Sequence, residues 1–346
     1  MNRFFSVLLV TSAFAFTACS DDDSGPMTDD DYAAEVTTGM HDALLADLTK
    51  LKDAATTLQK AAPEHAWSED DAGAIDDMKV AWFESRAAYE RIEGAIAPLF
   101  PDIDAAIDGR YDQFLEDGPD DDLFDGQGAT GMHAIERILF VDNTPASVVA
   151  LESTFPGYQQ ARHPETDAEA EDFKNKLAAQ LVSDTTRLAG LWQPKRDDLG
   201  EAFGGLRDLM NEQREKVNLA ASDEQESRYA QTTMSDIRQN LAGTRKIYAV
   251  FKPWILSKPG GSDIDATIEG SFEQLADVYA TVKGDAIPAP PESWSAEEPS
   301  DADKKTPFGK LFVAIEESVD PNVEGSAVDG MNHAAVLLGF PEFVEE

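Results

Sequence analysis

The segment Gly131-Met132-His133-Ala134-Ile135-Glu136 sets an imidazole and a carboxylate three residues apart. On a helix this spacing puts both side chains on one face, where a ring nitrogen and a carboxylate oxygen can share one metal ion. Carboxylate-bridged sites in helical bundles are built the same way. Taken alone, the spacing describes a solvated ion pair equally well. Among the other histidines, His41, His65 and His163 have no such partner. His333 sits in Gly330-Met331-Asn332-His333, which echoes the pattern but lacks the Glu three residues on, so it reads as a surface or core histidine.

A second group of residues changes the weight of that pair. Trp82, Arg86, Tyr89, Glu90 and Glu93 fall at i, i+4, i+7, i+8 and i+11, one stripe of a helix. A solvated face seldom carries Trp and Tyr beside its acids, and a core face does not carry two Glu. The mixture predicts a semi-buried polar network. Asp104, Asp108 and Arg110 add a short acidic turn. If this stripe faces the His133 helix, several oxygens and one imidazole converge. That donor set suits iron, manganese or zinc rather than Cu(I). The chain has one cysteine, Cys19, which excludes a thiolate zinc site and a disulfide.

The elements that must position these groups read as helices throughout. Val36, Met40, Leu44, Leu48, Leu51, Ala55 and Leu58 recur at steps of three or four, predicting a helix over 32–62 that Pro63 ends. Ser68 and the acids after it cap a helix running to about Ala97, stopped by Pro98. After a glycine loop at 126–128, Thr130 caps a helix over 131–141. Residues 142–166 are rich in Pro, Gly and polar residues and read as an irregular connection. Helices follow at about 167–192, 197–220, 224–256 and 264–283, then a Pro-rich charged loop over 284–306, then helices at 307–318 and 325–338. No stretch alternates with period two, so the fold is expected to be all-α.

The start of the chain reads differently. Arg3 precedes an apolar run from Phe4 to Ala18, too short to span a bilayer, which takes about 20 residues. It fits a signal peptide over 1–18. Phe16-Thr17-Ala18-Cys19 resembles a bacterial lipobox, with Phe16 in place of the usual aliphatic residue, so Cys19 is expected to carry a lipid anchor to the membrane. An ordinary signal peptide is the alternative. Ser20, rather than Asp, weakly favours outer-membrane sorting. The acid-rich run that follows cannot bury a core and is expected to be a disordered tether over 19–31. The net charge of −39, from 67 acidic and 28 basic residues, argues against nucleic acid or anionic lipid as a partner. Solubility accounts for much of that charge; gathering cations is compatible with it.

Three blocks, in order, resemble the imelysin family, most nearly its periplasmic iron-uptake (EfeO/EfeM-type) branch. They are Tyr89-Glu90-Arg91-Ile92-Glu93, Asp102-Ile103-Asp104-Ala105-Ala106-Ile107-Asp108-Gly109-Arg110, and Thr130-Gly131-Met132-His133-Ala134-Ile135-Glu136. A fourth agrees: Glu226-Ser227-Arg228-Tyr229, then Asp236, Asn240, Gly243, Lys246 and Phe251-Lys252-Pro253. The resemblance spans about 37–256, and Gly94 departs from it where the family has Pro. It implies one domain of two helical-bundle halves, drawn here as 32–141 and 167–346 around the 142–166 insertion, with the site between them. It implies a periplasmic or cell-surface protein that binds iron, with an iron permease or peroxidase as partner. Glu90, Glu93, Asp108, His133 and Glu136 would be ligands or close neighbours, with Glu226 contributed by the second half. Arg86, Tyr89, Arg110, Arg228 and Tyr229 would orient them. Two other readings stand beside this one: an imelysin-type metallopeptidase, and a polysaccharide-binding module bridged by a cation. A zincin-type peptidase needs H-E-x-x-H, which the sequence lacks.

Overall fold

Thr28 starts the first helix. Its hydroxyl accepts from Asp31 N at 3.3 Å, and the Asp31 carboxylate accepts from Thr28 N at 2.8 Å. Asp29, Asp30 and Asp31 fill the first turn, where the helix dipole favours negative charge. The end of the acidic run expected to be tether is therefore a helix start. The computed structural model describes residues 26–120 and 122–341. The expected signal peptide, Cys19 and the first part of the tether lie outside the described residues.

Helix α1 (Asp29–Ala61) buries the seven apolar positions that defined its stripe. Next come α2 (Ala72–Glu90), α3 (Glu93–Ile96), α4 (Pro101–Asp108), α5 (Tyr111–Asp117) and α6 (Gly131–Leu139). The insertion contributes one short helix, α7 (Ala146–Glu152). Helices α8 (Asp167–Asp172) and α9 (Ala178–Leu191) are joined by a single wide turn. The remainder is α10 (Leu199–Asn218), α11 (Thr233–Leu256), α12 (Gly261–Thr281), α13 (Pro307–Val319) and α14 (Ala327–Leu338). Among the described residues there is no strand, and no helix is long and apolar enough to cross a membrane.

The fold is all-α, in two helical-bundle halves sharing one continuous core. α1 is the common spine: it packs on α2, α9 and α11. α10 to α14 pack among themselves to form the second half. A boundary at residue 167 groups α9 with that second half, whereas α9 lies against α1, α4 and α6.

Two departures from the expected helices shape the site. The helix expected to run from Ser68 to Ala97 breaks at Arg91–Ile92. The cause is α11, which crosses there: Asn240 Nδ2 donates to the Glu90 carbonyl at 3.1 Å, closing the end of α2. Gly243 lets α11 come this close, since a Cβ there would lie 2.2 Å from the Arg91 carbonyl oxygen. The helix expected from residue 224 begins only at Thr233. Asp223 and Gln231 both take left-handed backbone, with φ of 61° and 57°, so residues 222–232 turn rather than wind. Glu226 lies in that turn.

Candidate metal centre

Helices α2, α4 and α6 meet at the first half of the site. Trp82 Nε1 donates to the Met132 carbonyl at 2.9 Å and fixes α2 against α6. Gly131 fixes α6 against α4: its φ is +78°, and a Cβ would lie 2.4 Å from the Ile107 carbonyl oxygen. Only a glycine lets the start of α6 sit this close to the end of α4, which sets His133 beside Asp108.

His133 and Glu136 are both buried. His133 Nδ1 lies 2.7 Å from Glu136 Oε2. Glu136 Oε1 accepts from the backbone N–H groups of Tyr229 at 3.0 Å and Ala230 at 2.8 Å. The carboxylate is thus an acceptor at both oxygens, and the ring donates through Nδ1. Glu136 is spent on orienting the ring and anchoring the 222–232 turn, with no oxygen directed at Asp108. Burial, and then the nearby Arg86 guanidinium, lower the His133 pKa, keeping the imidazole neutral.

His133 Nε2 makes no hydrogen bond among the described residues. It faces Asp108 Oδ1 at 3.4 Å. With the proton on Nδ1, two lone pairs look at one another. One ligand atom each from Asp108, His133 and Glu226 lies within 4.8 Å of the other two. An ion about 2.1 Å from each donor holds its ligand atoms about 3.0 to 3.4 Å apart. The His133–Asp108 spacing therefore fits an ion between them without rearrangement.

A second triad, Glu90, Glu93 and Glu226, meets the same test and shares Glu226. Arg86 and Lys216 stand among these acids. Arg86 reaches Glu90 at 2.5 Å, Glu226 at 2.8 Å, Asp236 at 3.6 Å, and Asp108. Lys216 Nζ lies 3.0 Å from Glu226, 3.3 Å from Glu93 and 4.0 Å from Glu90. Asn240 Nδ2 donates to Glu90 at 2.6 Å and to Glu93 at 2.8 Å. Tyr89 donates to Asp104, and Ser227 donates to Asp236 at 2.5 Å.

The electrostatic balance is lopsided. Glu90, Glu93, Asp104, Asp108, Glu136, Glu226 and Asp236 face the two cations Arg86 and Lys216, with His133 neutral. Burial raises Glu90 well above its usual range and also raises Glu93, although Arg86 and Lys216 pull down. Burial likewise carries Asp104 to about 7, Asp108 to about 6 and Asp236 to about 7. Glu226 alone goes below the usual range, because Lys216 and Arg86 together outweigh its burial. Protons or a cation must compensate such an excess.

A cleft of about 260 Å³ opens onto this cluster, lined by Asp104, Asp108, Arg110, Gln113 and Glu226 among others. A larger groove of about 750 Å³, lined mainly by apolar residues of α12, α13 and the loop between them, lies away from these residues.

The residues singled out in the sequence divide as follows. Glu90, Glu93, Asp108, His133, Glu226 and Arg86 come together in one cluster. Tyr89 touches it through Asp104. Tyr229 reaches Glu136 by its backbone, while its hydroxyl donates to Glu152, which also accepts from Arg137 at 3.0 Å. Arg228 pairs with Asp112 at 2.6 Å, and Arg110, which lines the cleft, lies 3.8 Å from the same carboxylate, so both are paired outside the cluster of acids. Sequence reasoning missed Lys216 and Glu152, and gave Asp104, Asp236 and Asn240 no role.

A family model described as Imelysin matches residues 20–314. The iron uptake system component EfeO of Escherichia coli (strain K12) is 25% identical over 209 residues, covering 60% of this chain and 45% of that relative. The protein of the same name from Shigella flexneri matches to the same extent. The chain thus spans somewhat under half the length of the curated relatives it matches. Two solved structures share the fold. An imelysin-like protein from Psychrobacter arcticum 273-4 superposes with a TM-score of 0.57 at 10% identity, over 92% of this chain and 98% of that one. A protein from Parabacteroides distasonis ATCC 8503 does so with a TM-score of 0.52 at 14% identity, over 92% and 97%.

Proposed function

The chain belongs to the imelysin family, and from that premise we propose that it is a cell-envelope metal-binding protein that captures iron or hands it on for uptake. The observation that carries this reading is the facing pair of His133 Nε2 and Asp108 Oδ1 at 3.4 Å, with Glu226 beside them and more buried carboxylates than cations around them. One imidazole with two or more carboxylates is a donor set for iron, zinc or manganese. Glu136 would hold the ring in its Nδ1–H form, as carboxylates do behind metal-bound histidines. Glu90 and Glu93 would take part through the triad that shares Glu226. The name of the EfeO relatives, a component of an iron uptake system, supports iron as the cargo. On this reading the setting is periplasmic and a permease or peroxidase is the partner. A lipid on Cys19 would tether the molecule there.

The test is calorimetric titration of the full chain with Fe²⁺ under anaerobic conditions, and with Zn²⁺ and Mn²⁺. The variant carrying both His133→Ala and Glu136→Ala should lose roughly 10- to 100-fold in affinity. Unchanged affinity would overturn the site.

A further inference from the structure

Lys216 is the one cation of the cluster that the family motifs did not bring to notice. It lies on α10, and its side chain is buried. Its ammonium sits among the oxygens of the second triad: 3.0 and 3.1 Å from Glu226, 3.3 and 3.4 Å from Glu93, and 4.0 Å from Glu90. Three N–H donors thus face three carboxylates. Oxygens at these distances form a cage wider than a transition metal tolerates, since metal–oxygen bonds run about 2.0 to 2.2 Å. The first triad meets the Lys216 ammonium only at Glu226, while Arg86 pairs with its Asp108 and with Glu226.

We propose that Lys216 is a resident counter-ion that fills the Glu90/Glu93/Glu226 set and competes with an incoming divalent metal ion for Glu226. The competition follows from the shared residue. Glu226 is the only ligand candidate common to both triads; Lys216 donates to its Oε1 at 3.1 Å and stands 3.0 Å from its Oε2. A metal ion entering between Asp108 and His133 gains Glu226 only as Lys216 releases it. While the ammonium stays in place, the second triad accepts no ion. Lys216 therefore limits the chain to one ion and weakens its grip on that ion, which suits a protein that must hand its cargo on. The flexible four-carbon stem of lysine permits such a withdrawal in a way that the rigid fork of Arg86 does not.

This inference rests on the metal-binding reading above, and the experiment separates the two. The full chain, Lys216→Met and Lys216→Arg are titrated calorimetrically with Mn²⁺ and with Zn²⁺, and each is melted with and without metal. Lys216→Met keeps the length and removes the charge. It should bind at least roughly tenfold more tightly, as expected when a close competing charge is removed, or take up a second equivalent per chain. Lys216→Arg keeps the charge on a stiffer group and should bind no more tightly than the parent, with one equivalent per chain. Equal or weaker affinity in Lys216→Met with one equivalent, while His133→Ala weakens binding at least roughly tenfold in both backgrounds, would overturn the counter-ion role and leave the metal site standing. If the parent binds no metal, gain of binding in Lys216→Met supports the proposal and its absence overturns it. Should Lys216→Met fail to fold, the pair Lys216→Met with Glu93→Gln removes one charge of each sign and frees Glu226. Affinity of that pair at or below the parent's would likewise overturn the proposal.

Discussion

Replacing Arg86 by Met tests whether the excess of buried carboxylates governs the stability of the metal-free protein. The guanidinium is 2% exposed and contacts Glu90, Asp108, Glu226 and Asp236. Breaking a buried ion pair from one side costs about 3 to 5 kcal/mol, because the partner is left charged in a poor solvent. Four acids lose a partner here and Lys216 remains, so the same range is expected for the whole change. At roughly 2 °C per kcal/mol for a chain of this size, Tm falls by about 6 to 10 °C at pH 7.5 with chelator present. The pH dependence gives the sharper signature. Burial raises Asp108 to about 6 and Asp236 to about 7 from an ordinary 3.8. Between those values the folded state holds protons that the unfolded state has lost. Their contribution thus favours folding at low pH and is lost as pH rises from about 4 through about 7. Removing Arg86 pushes both groups further up, so the deficit of Arg86→Met is largest at pH 7.5 and shrinks at pH 5.5. A divalent metal ion should narrow it at pH 7.5 by supplying the missing positive charge. Urea and thermal melts followed by circular dichroism at the two pH values measure this. A deficit of equal size at both, or below about 1 kcal/mol at pH 7.5, would refute the reasoning.

Gly131→Ala forces a side chain into left-handed backbone and against the Ile107 carbonyl, and should cost about 2 kcal/mol or more. It should also weaken metal binding by moving His133 away from Asp108, whereas Gly190→Ala, with open space around its helical position, should stabilise by about 0.5 to 1 kcal/mol. Paired melts and titrations compare the two. Glu169 is held at a pKa of about 2, first by its bonds to Arg162 and then by the N–H groups of Glu165 and Thr166. Its contribution is full above about 4.5 and is lost as pH falls toward 2. Glu169→Gln should therefore be less stable than the parent at pH 6 and no less stable near pH 2, as judged by urea midpoints.

The long helices were legible because their burial is periodic. In α1 every expected apolar position is in the core, and the same pattern marks α10, α11 and α12. What the pattern missed was imposed from a distance. Nothing in the residues around Arg91 announces the break after α2; Asn240 and Gly243, on another helix, produce it. Residues 224–232 have helix-like composition, but the left-handed residues at 223 and 231 and the grip of Glu136 on two backbone amides make them a turn. Spacing alone indicated that His133 and Glu136 meet. It did not indicate that backbone donors from the other half of the chain occupy the remaining oxygen of Glu136. Lys216 looks like any lysine of an amphipathic helix until the opposing acids are placed around it.

The bond from Asn240 to Glu90 joins residues 150 positions apart, and the one from Ala230 to Glu136 spans 94. Closing a loop of that length rather than one of ten residues adds about 2 kcal/mol of entropy. Topologies rich in contacts of this range fold more slowly than those built of local contacts. The residues of the first half are synthesised well before Lys216, Glu226 and Asn240, which bring the counter-charge, the shared ligand candidate and the helix closure. The cluster is thus complete only when residues of both halves have been made and joined. An ion held by Asp108, His133 and Glu226 together would meet only finished chains, so occupancy of that triad would count completed folds and pass over partial ones.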